Sequence, residues 1–318
     1  MIYDLSIVVP IDFNRRSREI FQRAIRMTKM LSGTGIHLLF GCAAEPIRWT
    51  NKLSKALSKY PDAQMITAPD CASHLAQLRN IALAEVKSNY VLFLDVDIYP
   101  DLNQIEYAYN EVIQSKSHVC MYPCLYLSKA GSRKLGRIPS AEFRQYYYQF
   151  KRNLILHLAF PSSIIICDMA SVRAIQGFDP QYIGHGYEDF DFMLRLFLHK
   201  NLIGATPKLI QDEPYMAPLM ASGFRAEIAK LFLNQLIANN YFLHDFHGKD
   251  KQENYYQLRK VNKVRFDEKV HTIINHEPIS QQPLELLCEF HSHLAKHNKK
   301  PSEFTALWAE IPGHMFRR

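Results

Sequence analysis

The residues of this chain best suited to chemistry are two pairs of acids and a late pair of histidines. Asp95-Val-Asp97 closes the apolar run Tyr90-Val-Leu-Phe-Leu94, and Glu188-Asp189 follows a small-residue turn, Gly184-His-Gly-Tyr187. Two aspartates separated by one residue, where the chain leaves extended geometry, can turn both carboxylates toward one divalent cation. The same tripeptide also closes ordinary buried strands as a polar turn, so position has to decide, and the carboxyl end of a strand favours the metal. One carboxylate of Glu188-Asp189 can act as a general base, or both can simply face the positive end of a helix dipole. His244 and His247 add imidazole, which joins carboxylates around a transition metal such as Mn²⁺ and favours it over Mg²⁺. With 14 histidines in the chain, a surface or hydrogen-bonded role is the ordinary fate of any one of them.

These side chains need a scaffold, and the first part of the chain supplies the pattern of one. Short apolar runs alternate with amphipathic stretches: strands over 5–10, 36–41, 64–68 and 90–94, with helices over 15–31, 51–60 and 72–86 between them. That alternation predicts βαβ units and a mostly parallel sheet, with Asp95 and Asp97 at the strand edge where ligands of open α/β sheets bind. The basic segment 126–138, with two glycines and no apolar periodicity, reads as a mobile loop. Its stretch Lys129–Arg137 either folds over a bound diphosphate or stays solvated. A helix carrying Tyr146-Tyr-Tyr148, a strand over 163–167 and a helix over 193–199 follow. Beyond Asp212 the pattern turns helical, clearest over 226–239 and 284–296, with polar, basic ground between.

The 318 residues are 47% hydrophobic and 22% charged, enough to bury a full α/β core as one large domain with an appendage or two packed ones. An excess of 38 Lys and Arg over 31 Asp and Glu gives a net charge of +7. It suits nucleotide phosphates, an acidic glycan or peripheral contact with an anionic membrane, and a solvated basic surface accounts for it equally well. No nucleic-acid partner is expected. The 6 cysteines are scattered, and Cys120 and Cys124 lack zinc-knuckle spacing. No secretory leader is visible, and no apolar run approaches the roughly 20 residues of a membrane span, so a cytoplasmic place, peripheral at the inner face of the membrane, is expected.

Four motifs in order carry a resemblance. Ser6-Ile-Val-Val-Pro10, then Gln77-Leu-Arg-Asn80 ahead of Asp95-Val-Asp97, resemble glycosyltransferase family 2. Gly177-Phe-Asp179 with Gly184-His-Gly-Tyr-Glu-Asp189 resembles the carboxy-terminal motif of β-1,4-galactosyltransferases and bacterial chondroitin-polymerase-type enzymes. The resemblance spans roughly 5–260 and implies a GT-A fold, with a catalytic domain over 1–260 and a helical extension over 261–318. The nucleotide-sugar half of that domain would cover about 1–123 and the acceptor half about 124–260. It implies an inverting, metal-dependent glycosyltransferase that moves a hexose, N-acetylhexosamine or uronic acid from a UDP-sugar to an oligosaccharide or glycolipid in capsule or lipopolysaccharide synthesis.

By the same resemblance Pro10, Asp12 and Arg79 hold the nucleotide, and Asp95 and Asp97 hold the metal with His247 and, less directly, His244. Asp189 is then the base beside Glu188, and Gly184, His185, Gly186 and Tyr187 shape the acceptor site. A guanidinium beside a diphosphate also makes electrostatic sense for Arg79, although an arginine on a helix often just pairs with a neighbouring acid. Three departures stand out: His185 replaces a tryptophan common in relatives, Phe190 replaces an aspartate of some galactosyltransferases, and Phe40-Gly-Cys-Ala43 lacks an aspartate-rich turn. Acceptor identity therefore does not carry over. A glycan-binding or scaffold subunit that keeps the fold without turnover is the alternative, and the intact acid pairs weigh against it.

Overall fold

The structure, a computed structural model, describes residues 3–213, 217–238, 240–248, 253–274 and 284–309. The carboxy-terminal segment 310–318 lies outside these residues. By their contacts the residues form two units, Met1–Met121 with Ser163–Gly204 and His247–Thr272, and Tyr122–Ser162 with Ala205–Phe246 and Ile273–Arg318. Among the described residues no helix is long and apolar enough to cross a membrane.

In the first unit β1 (Leu5–Ile11), α1 (Ser17–Leu31), β2 (His37–Ala43), α2 (Ile47–Leu57), β3 (Ala63–Ala68), α3 (Leu75–Leu83), β4 (Tyr90–Phe93), α4 (Leu102–Gln114) and β5 (Val119–Met121) follow the expected alternation. The sheet runs β3, β2, β1, β4, then the strand Ile165–Asp168, then β5. The first four strands are parallel, and Ile165–Asp168 is antiparallel to both its neighbours. This is the α/β arrangement of the GT-A fold, a mostly parallel sheet flanked by helices. β1 is buried at every position, which is why its sequence reads as a continuous apolar run rather than an alternating one. On α1, Ile20, Ala24, Met27 and Leu31 form the buried stripe that seats the helix.

One close approach fixes α3. A Cβ at Gly41 of β2 would overlap the backbone carbonyl of Leu78, so a glycine is what lets the α3 backbone lie against β2. The neighbouring positions, Arg79 and Asn80, are thereby held over the carboxyl end of the sheet. The helix Glu253–Ile273 occupies ground expected to be polar between the two clearest helices, and the boundary expected at residue 260 falls inside it, so the helical stretch expected from 261 begins earlier, at Glu253. Polar side chains surround most of it, so it lacks the apolar stripe by which a surface helix is recognised. Its docking rests instead on buried Phe266 and Val270 and on polar contacts.

In the second unit, Phe242–His244 runs parallel to Cys124–Leu127, which pairs antiparallel with Ile155–Ala159. These short strands also escaped the sequence reading. The segment expected as a mobile loop opens as a helical turn, Lys129–Ser132, capped by the Ser128 hydroxyl, which accepts from Gly131 N at 3.0 Å. Ser-x-x before a glycine is a local cap that outweighs the lack of periodicity. The helix expected over 226–239 is two shorter ones, Phe224–Lys230 and Leu233–Ile237. Lys208 and Lys230 both bind Glu285, at 2.9 and 2.8 Å, tying the helix Glu285–Lys296 to its own unit.

Gly41→Ala is expected to destabilise the protein by about 2 kcal/mol or more, because backbone atoms block the added methyl. Gly248→Ala, into open space, should stay within about 0.5 kcal/mol. Urea unfolding compares them, and equal midpoints would mean that α3 moves aside freely.

Candidate active site

The loops leaving β1 and β4 bring the first acids together in the first unit. Asp97 is 6% exposed and is held by Arg16 Nη2 at 2.9 Å on Oδ2 and by Arg23 on Oδ1. His247 Nε2 lies 3.4 Å from the same Oδ2. Asp95 stays more open, its side chain 36% exposed, and accepts from Arg79 Nη2 at 2.9 Å. Asp12, beyond Pro10 at the end of β1, is buried and braces its own loop through Asn14 N and Nδ2, at 3.0 and 2.9 Å. Its other oxygen accepts from Ser73 N at 3.0 Å, and Ser73 O accepts from Gly184 N at 2.8 Å. The loop after β1 is thus joined through one residue, Ser73, to the Gly184–Tyr187 turn.

Arg79 links the two acid pairs. Its guanidinium, 3% exposed, donates from Nη2 to Asp95 and from Nη1 to Glu188 Oε1 at 3.1 Å, and it lies 5.1 Å from the centre of the Phe178 ring. Arg79, expected beside a nucleotide, is engaged by two carboxylates, the pairing weighed beside that expectation. Asn80, unassigned from sequence, clamps the Gly177-Phe-Asp179 motif: its amide donates to Phe178 O at 2.7 Å and accepts from Phe178 N at 2.9 Å. Phe178 then stacks on Phe192 at 4.2 Å and meets Phe93 edge-on at 5.1 Å. The motifs Gln77–Asn80 and Gly177–Asp179 are therefore two halves of one contact.

Glu188 and Asp189 open the helix Glu188–His199, where the dipole favours negative charge. Burial and the adjacent Asp189 push the Glu188 carboxyl up to about 7, against the pull of Arg79. Among the described residues its Oε2 is buried without a hydrogen-bond partner. Burial also raises Asp189, opposed by Arg79 and reinforced by the Asp95 charge. Asp189 is only half-buried, and it lines a small pocket with Arg79, Phe93, Ser163, Ile165, Phe178 and Phe192. Of the acid pair it is the more exposed member, while Glu188 is committed to Arg79.

The turn before this helix needs unusual backbone. Gly184, Gly186 and Tyr187 have φ of 79°, 84° and 74°, left-handed values that glycine reaches at least cost. Asn262 holds the turn from the helix Glu253–Ile273, donating to Ile183 O and Gly186 O, each at 2.9 Å. Lys269 of the same helix binds Asp179 at 2.8 Å and also Asp191. Burial, with Arg259 and Arg15 nearby, pushes His185 down to about 4, so the imidazole is neutral at physiological pH. His244 lies in the second unit, in a cross-strand row in which the Tyr126 ring stacks on it at 4.1 Å and on His157 at 4.3 Å.

Arg16, Arg23, Asn80, Asn262 and Lys269 were absent from the sequence-based site. Arg16 and Arg23 had a signal, the i, i+7 spacing that puts them on one face of a helix directly after β1. Asn80 stood inside a recognised motif. Asn262 and Lys269 had none, because the helical extension expected over 261–318 was assigned no part in the site.

A model of the family described as "Glycosyltransferase like family 2" matches residues 6–272. No match was found among curated proteins. Among solved structures, TarS 1–349 of S. aureus is similar over 96% of this chain and 75% of its own, at 13% identity and a TM-score of 0.42. The mannosyltransferase PcManGT of Pyrobaculum calidifontis, solved with GDP-Man and Mn²⁺, is similar over 98% of this chain and 77% of its own, at 10% identity and a TM-score of 0.43. The catalytic domain of Drosophila β1,4-galactosyltransferase 7, complexed with xylobiose, aligns over 61% of each chain at 16% identity and a TM-score of 0.33.

Removing a buried cation that serves two acids leaves both uncompensated. Arg79→Met is expected to cost about 3–5 kcal/mol in chemical denaturation at alkaline pH, and adding Glu188→Gln should recover part of it. A loss below about 1 kcal/mol, the usual range of exposed pairs, would contradict the bridging role.

Proposed function

The chain belongs to glycosyltransferase-like family 2, and we propose that it is a metal-dependent, inverting transferase. In this reading it moves a hexose, N-acetylhexosamine or uronic acid from a UDP-sugar to a glycan or glycolipid acceptor. The observation that carries this reading is the Arg79 bridge, which sets the Asp95-Val-Asp97 pair and the Glu188-Asp189 pair into one cluster of charge. The choice of UDP, and of capsule or lipopolysaccharide as the product, rests on the sequence resemblance alone.

The donor atoms fit a divalent cation. Asp97 and His247 present an oxygen and a nitrogen 3.4 Å apart, close to the spacing of neighbours in a coordination shell, and Asp95 adds an open carboxylate. Mixed carboxylate and imidazole ligation favours Mn²⁺ over Mg²⁺. When bound there, the ion supplies charge neutralisation for the departing diphosphate. Arg16 and Arg23 place further positive charge at the same point.

The remaining work falls to side chains of this unit. Asp189, facing the pocket, takes the proton of the attacking acceptor hydroxyl as the new bond to the anomeric carbon forms and the bond to the diphosphate oxygen breaks. One displacement inverts the anomeric centre, and the negative charge leaves with the nucleotide. Glu188 does not touch substrate; by holding Arg79 it fixes the base relative to Asp95. The turn Gly184–Tyr187 lies against this base and forms the acceptor side, while Pro10 and Asp12 border the nucleotide.

With Mn²⁺ and a panel of UDP-sugars, the protein should release UDP, and Asp97→Ala or Asp189→Ala should lower kcat by about 10²–10⁴-fold. Full activity in both variants would end the assignment. Because the folded site raises the Asp189 carboxyl, the base becomes active only as pH climbs past the ordinary carboxylate range of about 4. The acid limb of kcat/KM should therefore lie above that range; a limb at or below it would point to a solvated base.

A further inference from the structure

We propose that Arg259 forms an anion subsite beside the Gly184–Tyr187 turn, so that the acceptor carries a carboxylate or phosphate next to the hydroxyl that reacts. This rests on the reading of that turn as the acceptor side of a glycosyltransferase. Polar side chains of the helix Glu253–Ile273 address the segment 179–191 one after another. Lys269 binds Asp179 and Asp191, Arg265 binds Gln181, and Asn262 binds the carbonyls of Ile183 and Gly186. Arg259 is next along this face, opposite the turn itself. Among the described residues its guanidinium has neither a hydrogen bond nor an ion pair; it lies 5.0 Å from the centre of the Tyr187 ring.

Gly186 makes the placement possible. A side chain there would overlap Arg259 Nη1, so the bare backbone leaves the cation beside the turn. The charge reaches both neighbours that matter: it depresses His185 and counts among the groups acting on Asp189. His185 stays neutral and so does not add to the positive charge, but its ring can donate a hydrogen bond to an anion. A planar, half-buried guanidinium on an aromatic face is preorganised for two parallel bonds to a carboxylate or phosphate. Proximity to Asp189 then sets which hydroxyl of an anionic sugar meets the base.

The test measures binding separately from turnover. Affinities of p-nitrophenyl β-glucuronide, p-nitrophenyl β-glucoside and p-nitrophenyl β-glucoside 6-phosphate are determined by ligand-observed NMR titration on wild type, Arg259→Met and Arg259→Lys, with UDP binding measured alongside. Wild type should prefer at least one anionic glycoside over the neutral one by about tenfold. The glucuronide and phosphate arms tell a uronic acid from a phosphate-bearing acceptor. Arg259→Met should erase the preference while leaving UDP affinity unchanged, and Arg259→Lys should keep part of it. Equal affinity for the three glycosides, including no binding of any, overturns the proposal, as does a loss of UDP affinity in Arg259→Met, which would assign the cation to the donor. Failure of the transferase reading appears elsewhere, as absent UDP release with every donor, and leaves this comparison readable.

Discussion

The first unit is organised around a buried guanidinium shared by acids from distant parts of the chain. Arg79 leaves α3, Asp95 follows β4, and Glu188 opens a helix that begins after the antiparallel strand has crossed the sheet. An arginine cannot shed its charge, so burying it requires carboxylates, and the carboxylates so placed cannot readily be ionised without it. The need is strongest between the two buried partners: remove Arg79 and Glu188 is left as a buried acid without its cation, whereas the more open Asp95 keeps contact with water. The same constraint separates the roles of adjacent residues. Glu188 is neutralised by its partner and turned inward, whereas Asp189, one position on, points to the pocket with a raised but available carboxyl.

Packing prepares this electrostatic arrangement. Gly41 admits the α3 backbone to the sheet, and Asn80 then treats Phe178 as a strand would, giving and taking one backbone hydrogen bond each. The stacked Phe178 and Phe192 with Phe93 form the dry wall against which the guanidinium lies, raising the strength of every charge contact near it. Close approach, amide clamp and aromatic wall act on a stretch of α3 little more than a turn long.

Much of this was readable in advance, for reasons that differ by element. The alternating strands and helices before residue 100 follow from apolar runs and amphipathic spacing, and they place Asp95 and Asp97 at the sheet edge without further information. The acid pair after Gly184-His-Gly-Tyr187 was legible because left-handed turns and helix-opening acids leave marks in composition. The helix Glu253–Ile273 left none. Its fit depends on Asn262 and Lys269 meeting carbonyls and acids far away in sequence, and such pairings have no local periodicity. The partners of Arg79 were hidden for the same reason: a charge shows its type in the sequence but not the identity of the group it will meet. The short strands of the second unit fell below the length at which alternation can be told from chance.

The joint at Ser73 has a different kind of consequence. Its amide serves the carboxylate of buried Asp12 after β1, and its carbonyl serves the amide of Gly184, so Ser73 splices the two loops with its own main-chain atoms. The side chain at this position takes no part in either bond. Natural variation can rewrite the side chain at 73 without loosening the splice so long as Asp12 keeps its carboxylate, while insertion or deletion of a residue between Cys71 and Leu75 would slip one loop past the other. Side-chain identity at this spot is therefore loosely constrained, whereas loop length is tightly constrained.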